Sequence, residues 1–123
     1  MEKFSFENLT AYQEARKLVT QVYKLVANFP NEEKYALSAQ IRRAIVSVPS
    51  NLAEGCGRIS YKEKIHFAEI AYGSLMESFC QLQIALDLGY ISETDIANIK
   101  PQFFSVSRLI NALSKSYAAK LNP

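Results

Sequence analysis

Apolar residues return at alternating intervals of three and four along almost the whole chain, and only an α-helix buries such a series on one side. From Tyr12 the stripe runs Tyr12, Ala15, Val19, Val22, Val26, Phe29, which predicts a first helix over 9–28. Pro30 ends it. Asn31 stands as the cap of a second helix, with Glu32 and Glu33 in a first turn where the helix dipole favours negative charge. The second stripe is Leu37, Ile41, Ala44, Val48, Leu52, followed by Gly55-Cys56-Gly57, whose glycines are able to take a left-handed stop conformation. Ser60 and Glu63 have the spacing of a capping box, and Tyr61, Ile65, Ala68, Tyr72, Leu75, Phe79, Leu82, Leu86 form the longest stripe. Gly89 closes that helix. Ser92 opens the last one, with Ile91 and Ile96 as a hydrophobic staple and Ile96, Ile99, Phe103, Val106, Ile110, Leu113, Tyr117 on its inner side.

Four such helices on short connections predict an all-α chain with one domain over 1–123. The expected arrangement is an antiparallel up-down-up-down four-helix bundle with left-handed packing. Pro49 and Pro101 fall inside helices, where each removes an amide donor and presses on the carbonyl four residues back. Helix two is therefore expected to be kinked at Pro49, with Ser47 and Ser50 placed to re-satisfy the carbonyl of Ile45.

Composition narrows the chemistry. Lys and Arg number 14 against 12 Asp and Glu, a net charge of +2 that does not by itself imply nucleic acid. Its distribution is uneven, with 9 basic and 6 acidic residues in 1–62 but 5 and 6 in 63–123. A single histidine, His66, leaves no pair of Glu-x-x-His motifs for a di-metal bundle site, and Cys56 and Cys80 lack CxxC spacing. The thiols read as free, Cys80 as a small core residue and Cys56 as exposed in its turn. Phosphate-binding, dinucleotide and nucleophile-elbow motifs are absent. No metal, no cofactor and no catalysis are expected. The N-terminus has no apolar leader and no run reaches the ~18 apolar residues of a membrane span, so a cytoplasmic location is expected.

Two features remain. Around Pro49, Ser47, Ser50, Asn51 and Glu54 put polar groups on a helix that should be apolar, either as a polar pocket or as hydrogen bonds holding the end of helix two. Arg42, Arg43, Arg58, Lys62 and Lys64 form the densest basic group, with Tyr61 among them as a stacking platform for a base; they are the candidate nucleic-acid contacts. Leu18 and Leu25, and Phe67, Ile70, Met76, Ile84 and Leu88, also lie off the helix seams. They are either a third core position or a subunit interface.

In order, the chain carries Phe6-Glu7-Asn8-Leu9, Phe29-Pro30, Gln40-Ile41-Arg42-Arg43-Ala44 and Ser47-Val48-Pro49-Ser50-Asn51-Leu52-Ala53-Glu54-Gly55. Gly57-Arg58 and Ala71-Tyr72-Gly73-Ser74-Leu75-Met76-Glu77 follow. This series resembles the four-helix bundle proteins encoded in intervening sequences of bacterial 23S ribosomal RNA genes. Val48 and Leu52 stand where isoleucines are commoner in that family. The resemblance implies a bundle that assembles as a ring, most often a pentamer. A related protein, the accessory variability determinant of diversity-generating retroelements, binds nucleic acid and a reverse transcriptase through a basic surface. By that likeness Arg42, Arg43 and Arg58 are candidate RNA contacts, while Asn51, Glu54 and Gly55 are structural. The expected function is a non-enzymatic, homo-oligomeric RNA-associated protein; the alternative is a protein-interaction scaffold.

Overall fold

The three-four rhythm becomes four α-helices in the computed structural model, which describes residues 1–122; Pro123 lies outside them. They are α1 Thr10–Val26, α2 Leu37–Cys56, α3 Tyr61–Asp87 and α4 Glu93–Leu121, with 3-10 turns at Ser5–Asn8 and Asn31–Glu33. No strand occurs among the described residues. Each helix packs on the next, and α4 returns against α1, which closes the four-helix bundle.

Burial follows the stripes with an offset. On α1 the fully buried side chains are Ala11, Ala15, Leu18, Val22 and Val26, while Tyr12 and Val19 sit half-buried on the flank. Leu18, off the seam by period, is thus core, and Leu25 packs against the core as well. On α3 the deepest positions belong to Ala68, Ala71, Leu75, Ser78, Leu82 and Ala85, and Tyr72, Phe79 and Leu86 flank them. Small residues there allow α2 and α4 to pack closely on α3, and Ile45 and Ile110 of those helices are fully buried. Phe79 meets Phe103 of α4 edge to face at 5.1 Å, the geometry that aromatic quadrupoles favour. Ser78 is fully buried, and its hydroxyl donates to the Ser74 carbonyl at 2.8 Å, so its polarity is satisfied.

The helix ends differ from expectation in two places. Asn31 opens only one 3-10 turn; α2 begins at Leu37 after Ala36 takes a non-helical conformation. The Glu33 carboxylate imposes the break, accepting from the Leu37 amide at 3.3 Å and from the Tyr90 hydroxyl at 2.7 Å. At the other end of α2 neither glycine is left-handed: Gly57 has φ −81, and Gly55 lies within the helix. Gly55 serves close packing instead, since a Cβ there would lie 2.7 Å from Phe67 Cβ on α3. Gly89, at φ +79, does take the left-handed turn. Ser60 accepts from the Glu63 amide at 3.1 Å, and Ser92 and Asp95 form a complete capping box.

Pro49 and Pro101 both lie inside uninterrupted helices. Ser47 and Ser50 do not reach the Ile45 carbonyl. Their hydroxyls donate to Ala44 at 2.9 Å and Val46 at 2.8 Å, because a helical serine reaches only the carbonyls three or four residues back.

Tyr90 and Glu33 tie the α1–α2 connection to the α3–α4 turn. The hydrogen bond to the carboxylate, with burial and the charges of Glu33 and Glu32, raises the Tyr90 hydroxyl above the ordinary phenol value of 10.0. A group whose folded pKa is raised contributes stability that is complete below the unfolded value and lost as pH climbs through the folded one. Thermal melts between about pH 8 and about pH 11 should therefore fall more steeply at the alkaline end for the native chain than for Tyr90→Phe. Equal alkaline slopes would show that the contact does not persist in solution.

Candidate nucleic-acid interface

Adjacent residues on a helix diverge by about 100°, so Arg42 and Arg43 leave α2 on different sides. Arg42 is half-buried against α1, its guanidinium 5.5 Å from the Tyr23 ring centre. Arg43 turns toward α3 and lines a cavity of about 390 Å³ with Gln40, Ser47, Glu77 and Gln81. Of the polar group read from α2, only Ser47 reaches this cavity. The Gln81 Oε1 atom is buried there without a hydrogen-bond partner among the described residues.

The remaining three candidates gather at the α2–α3 turn. Arg58 pairs with Glu54 at 3.0 Å and lies 4.7 Å over the Phe67 ring. Lys64 donates to the Cys56 carbonyl at 2.7 Å, between the rings of Tyr61 and Tyr117 at 5.9 and 5.8 Å. Its ammonium therefore caps the C-terminus of α2, where cations are favoured. Burial, with Cys56 and Tyr61 nearby, pushes the Tyr117 hydroxyl up. Lys62 is exposed. At 1.5 Å per residue, Arg43 and the end of α2 are roughly 20 Å apart, so the five cations form two groups and not one patch.

The structural residues have clear partners. The Asn51 side-chain amide donates to the Ser47 carbonyl at 2.7 Å, and the Glu54–Arg58 pair links the helix to the turn that follows. Cys80 is exposed and not part of the core, while Cys56 is half-buried with its sulfur 3.6 Å from the Ser5 hydroxyl. Cys80 lies on the side of α3 away from its buried alanines, a displacement that its neighbour Phe79 hid in the sequence. Gln40, Glu77 and Gln81 were not legible as a cavity lining, because only the α2–α3 contact brings them together.

Among the described residues no cluster of His, Cys, Asp and Glu is arranged to hold a metal ion, and no helix is long and apolar enough to cross a membrane. A sequence model of the 23S rRNA-intervening sequence protein family matches residues 7–112. The chain belongs to this family. A crystal structure of a protein of unknown function from the S23 ribosomal protein family of Bacteroides thetaiotaomicron is similar. It superposes with a TM-score of 0.78 at 21% identity, over 85% of this chain and 95% of that one. At that identity the likeness establishes the shared fold of the family member described here. No curated protein matches the sequence.

Proposed function

We propose that this family member is a non-catalytic, homo-oligomeric protein that binds RNA through arginine and lysine contacts to phosphate. One observation supports the reading most. Among the described residues only Lys17–Glu14 and Arg58–Glu54 are ion pairs, which leaves Arg42, Arg43 and Lys62 without a carboxylate partner. Repetition of these charges around a ring, five-membered as the family resemblance implies, concentrates a field that one copy lacks. Apolar side chains support assembly: Ile70, Met76 and Ile84 of α3 and Leu88 just past its end stay exposed, Leu88 by 53%. A cytoplasmic location and the wider likeness to the retroelement accessory protein belong to the same proposal.

The experiment pairs electrophoretic mobility shift on structured RNA at two salt concentrations with light scattering. Replacing Arg42, Arg43 or Lys62 by Gln should weaken binding alike across sequences and reduce the slope of log affinity against log salt by about 0.7 to 0.9 per lost contact. A wild type that binds neither RNA nor DNA at low salt ends the nucleic-acid reading. A solution mass of 13.9 kDa ends the ring. The scaffold reading has its own support in an apolar cleft of about 150 Å³ between α3 and α4, lined by Tyr72, Met76, Phe79, Phe103 and Phe104.

A further inference from the structure

A second series runs along α1 outside its core stripe: Tyr12, Arg16, Val19 and Tyr23, again four, three and four residues apart and so on one face. Tyr23 fixes which face this is, because Arg42 of α2 lies over its ring at 5.5 Å. The Arg16 guanidinium sits 5.7 Å from the Tyr12 ring centre. Beyond the end of α1, Lys34 lies 5.5 Å over Tyr35, and Lys34 and Arg42 line one recess of about 180 Å³. Three cation–ring pairs therefore follow one another along the α1–α2 side of the bundle.

Two of the nearby acids are occupied elsewhere. Glu14 pairs with Lys17, and both line a different cavity with α4 residues. Glu33 is turned to the Leu37 amide and Tyr90. Glu32 is exposed and forms no ion pair among the described residues. Arg16, Lys34 and Arg42 have no ion-pair partner among the described residues. The rings are accessible, Tyr35 at 87% and Tyr23 at 38%.

We propose that this α1–α2 strip binds single-stranded nucleic acid, with Arg16, Lys34 and Arg42 on phosphates and with Tyr23 and Tyr35 stacking on bases. The assignment rests on the nucleic-acid reading above and adds to it a substrate class and a face. Alternating cations and exposed rings suit a single strand, whose bases are free to stack, whereas a duplex hides its base faces and an acidic peptide needs the cations alone. From Tyr12 to Tyr23 the helix advances roughly 16 Å, and with Lys34 and Tyr35 the strip holds on the order of four nucleotides.

Fluorescence anisotropy of a labelled oligouridylate of about 16 nucleotides, titrated with the full chain at about 50 and about 200 mM salt, tests this. Arg16→Gln and Lys34→Gln should each lower the salt slope by about 0.7. Tyr35→Ser should weaken binding about fivefold or more and leave that slope unchanged, since stacking releases no counterions. All three side chains are exposed, so the helical circular dichroism should be retained. If the native chain binds and only Arg43→Gln and Lys62→Gln weaken it, the strip is wrong while the RNA reading stands. A native chain that binds no oligonucleotide overturns both. Polyglutamate that competes equally well, with Tyr35→Ser binding like wild type, would assign the face to an acidic peptide and reject the strip.

Discussion

Leu18→Ala should destabilise the folded chain by about 2–5 kcal/mol in urea or thermal melts, with a loss that does not depend on protein concentration. Leu18 is 1% exposed within a single chain, at the centre of α1 and surrounded by the core cluster. Truncation removes the transfer free energy of the lost methyl groups. It also leaves a cavity that the surrounding core side chains close only in part. Concentration dependence carries the second half of the argument. An interface leucine would weaken assembly and show its cost mainly on dilution, whereas a core leucine weakens each copy alone. A cost below about 1 kcal/mol, or one that vanishes at high concentration, would return Leu18 to the surface. Ile84→Ser, at an α3 position 44% exposed, supplies the contrasting behaviour.

Gly55→Ala should destabilise by about 1–3 kcal/mol even though alanine is the better helix former. At an exposed helical site the change would stabilise by up to about 1 kcal/mol. Position 55 is buried, and its new Cβ would stand 2.7 Å from Phe67 Cβ and 3.4 Å from the Lys64 carbonyl oxygen. Neither atom is the end of a flexible side chain, so relief requires α2 and α3 to move apart. That separation strains the Lys64–Cys56 cap and the stacking of Arg58 on Phe67. Gly73 provides the control. A Cβ there meets nothing within 4 Å, so Gly73→Ala should be neutral or stabilising by chemical denaturation. Opposite signs at the two glycines support the close approach; a stabilising Gly55→Ala rejects it.

Period alone located four helices and most of their ends, because a stripe must face a core whatever that core contains. Gly89 and Ser92 acted as read, and Ser60 caps α3 without the reciprocal Glu63 bond of a full capping box, since capping is settled by a few neighbouring backbone groups. The start of α2 was not legible. Glu33 holds it through Tyr90, which is 57 residues away, and no local signal encodes that partner. Nor could spacing distinguish Gly55 as a left-handed stop from Gly55 as a point of contact, because both require the absence of a Cβ.

The candidate site divides along the same line. Residue type and local density marked Arg42, Arg43, Arg58, Lys62 and Lys64 as one basic group, and charge is a property the sequence alone determines. Which charges stay available was decided by tertiary packing: Lys64 is drawn onto the carbonyl of Cys56 and Arg58 onto the Glu54 carboxylate, whereas Arg42 lies over Tyr23 of another helix with no carboxylate partner among the described residues. Helical period likewise determined that the apolar surface exceeds four narrow seams. Only the packed bundle sorted that excess, because burial depends on which helix lies opposite. Leu18 is enclosed in the core, while Ile84 of α3 and Leu88 just past its end remain exposed.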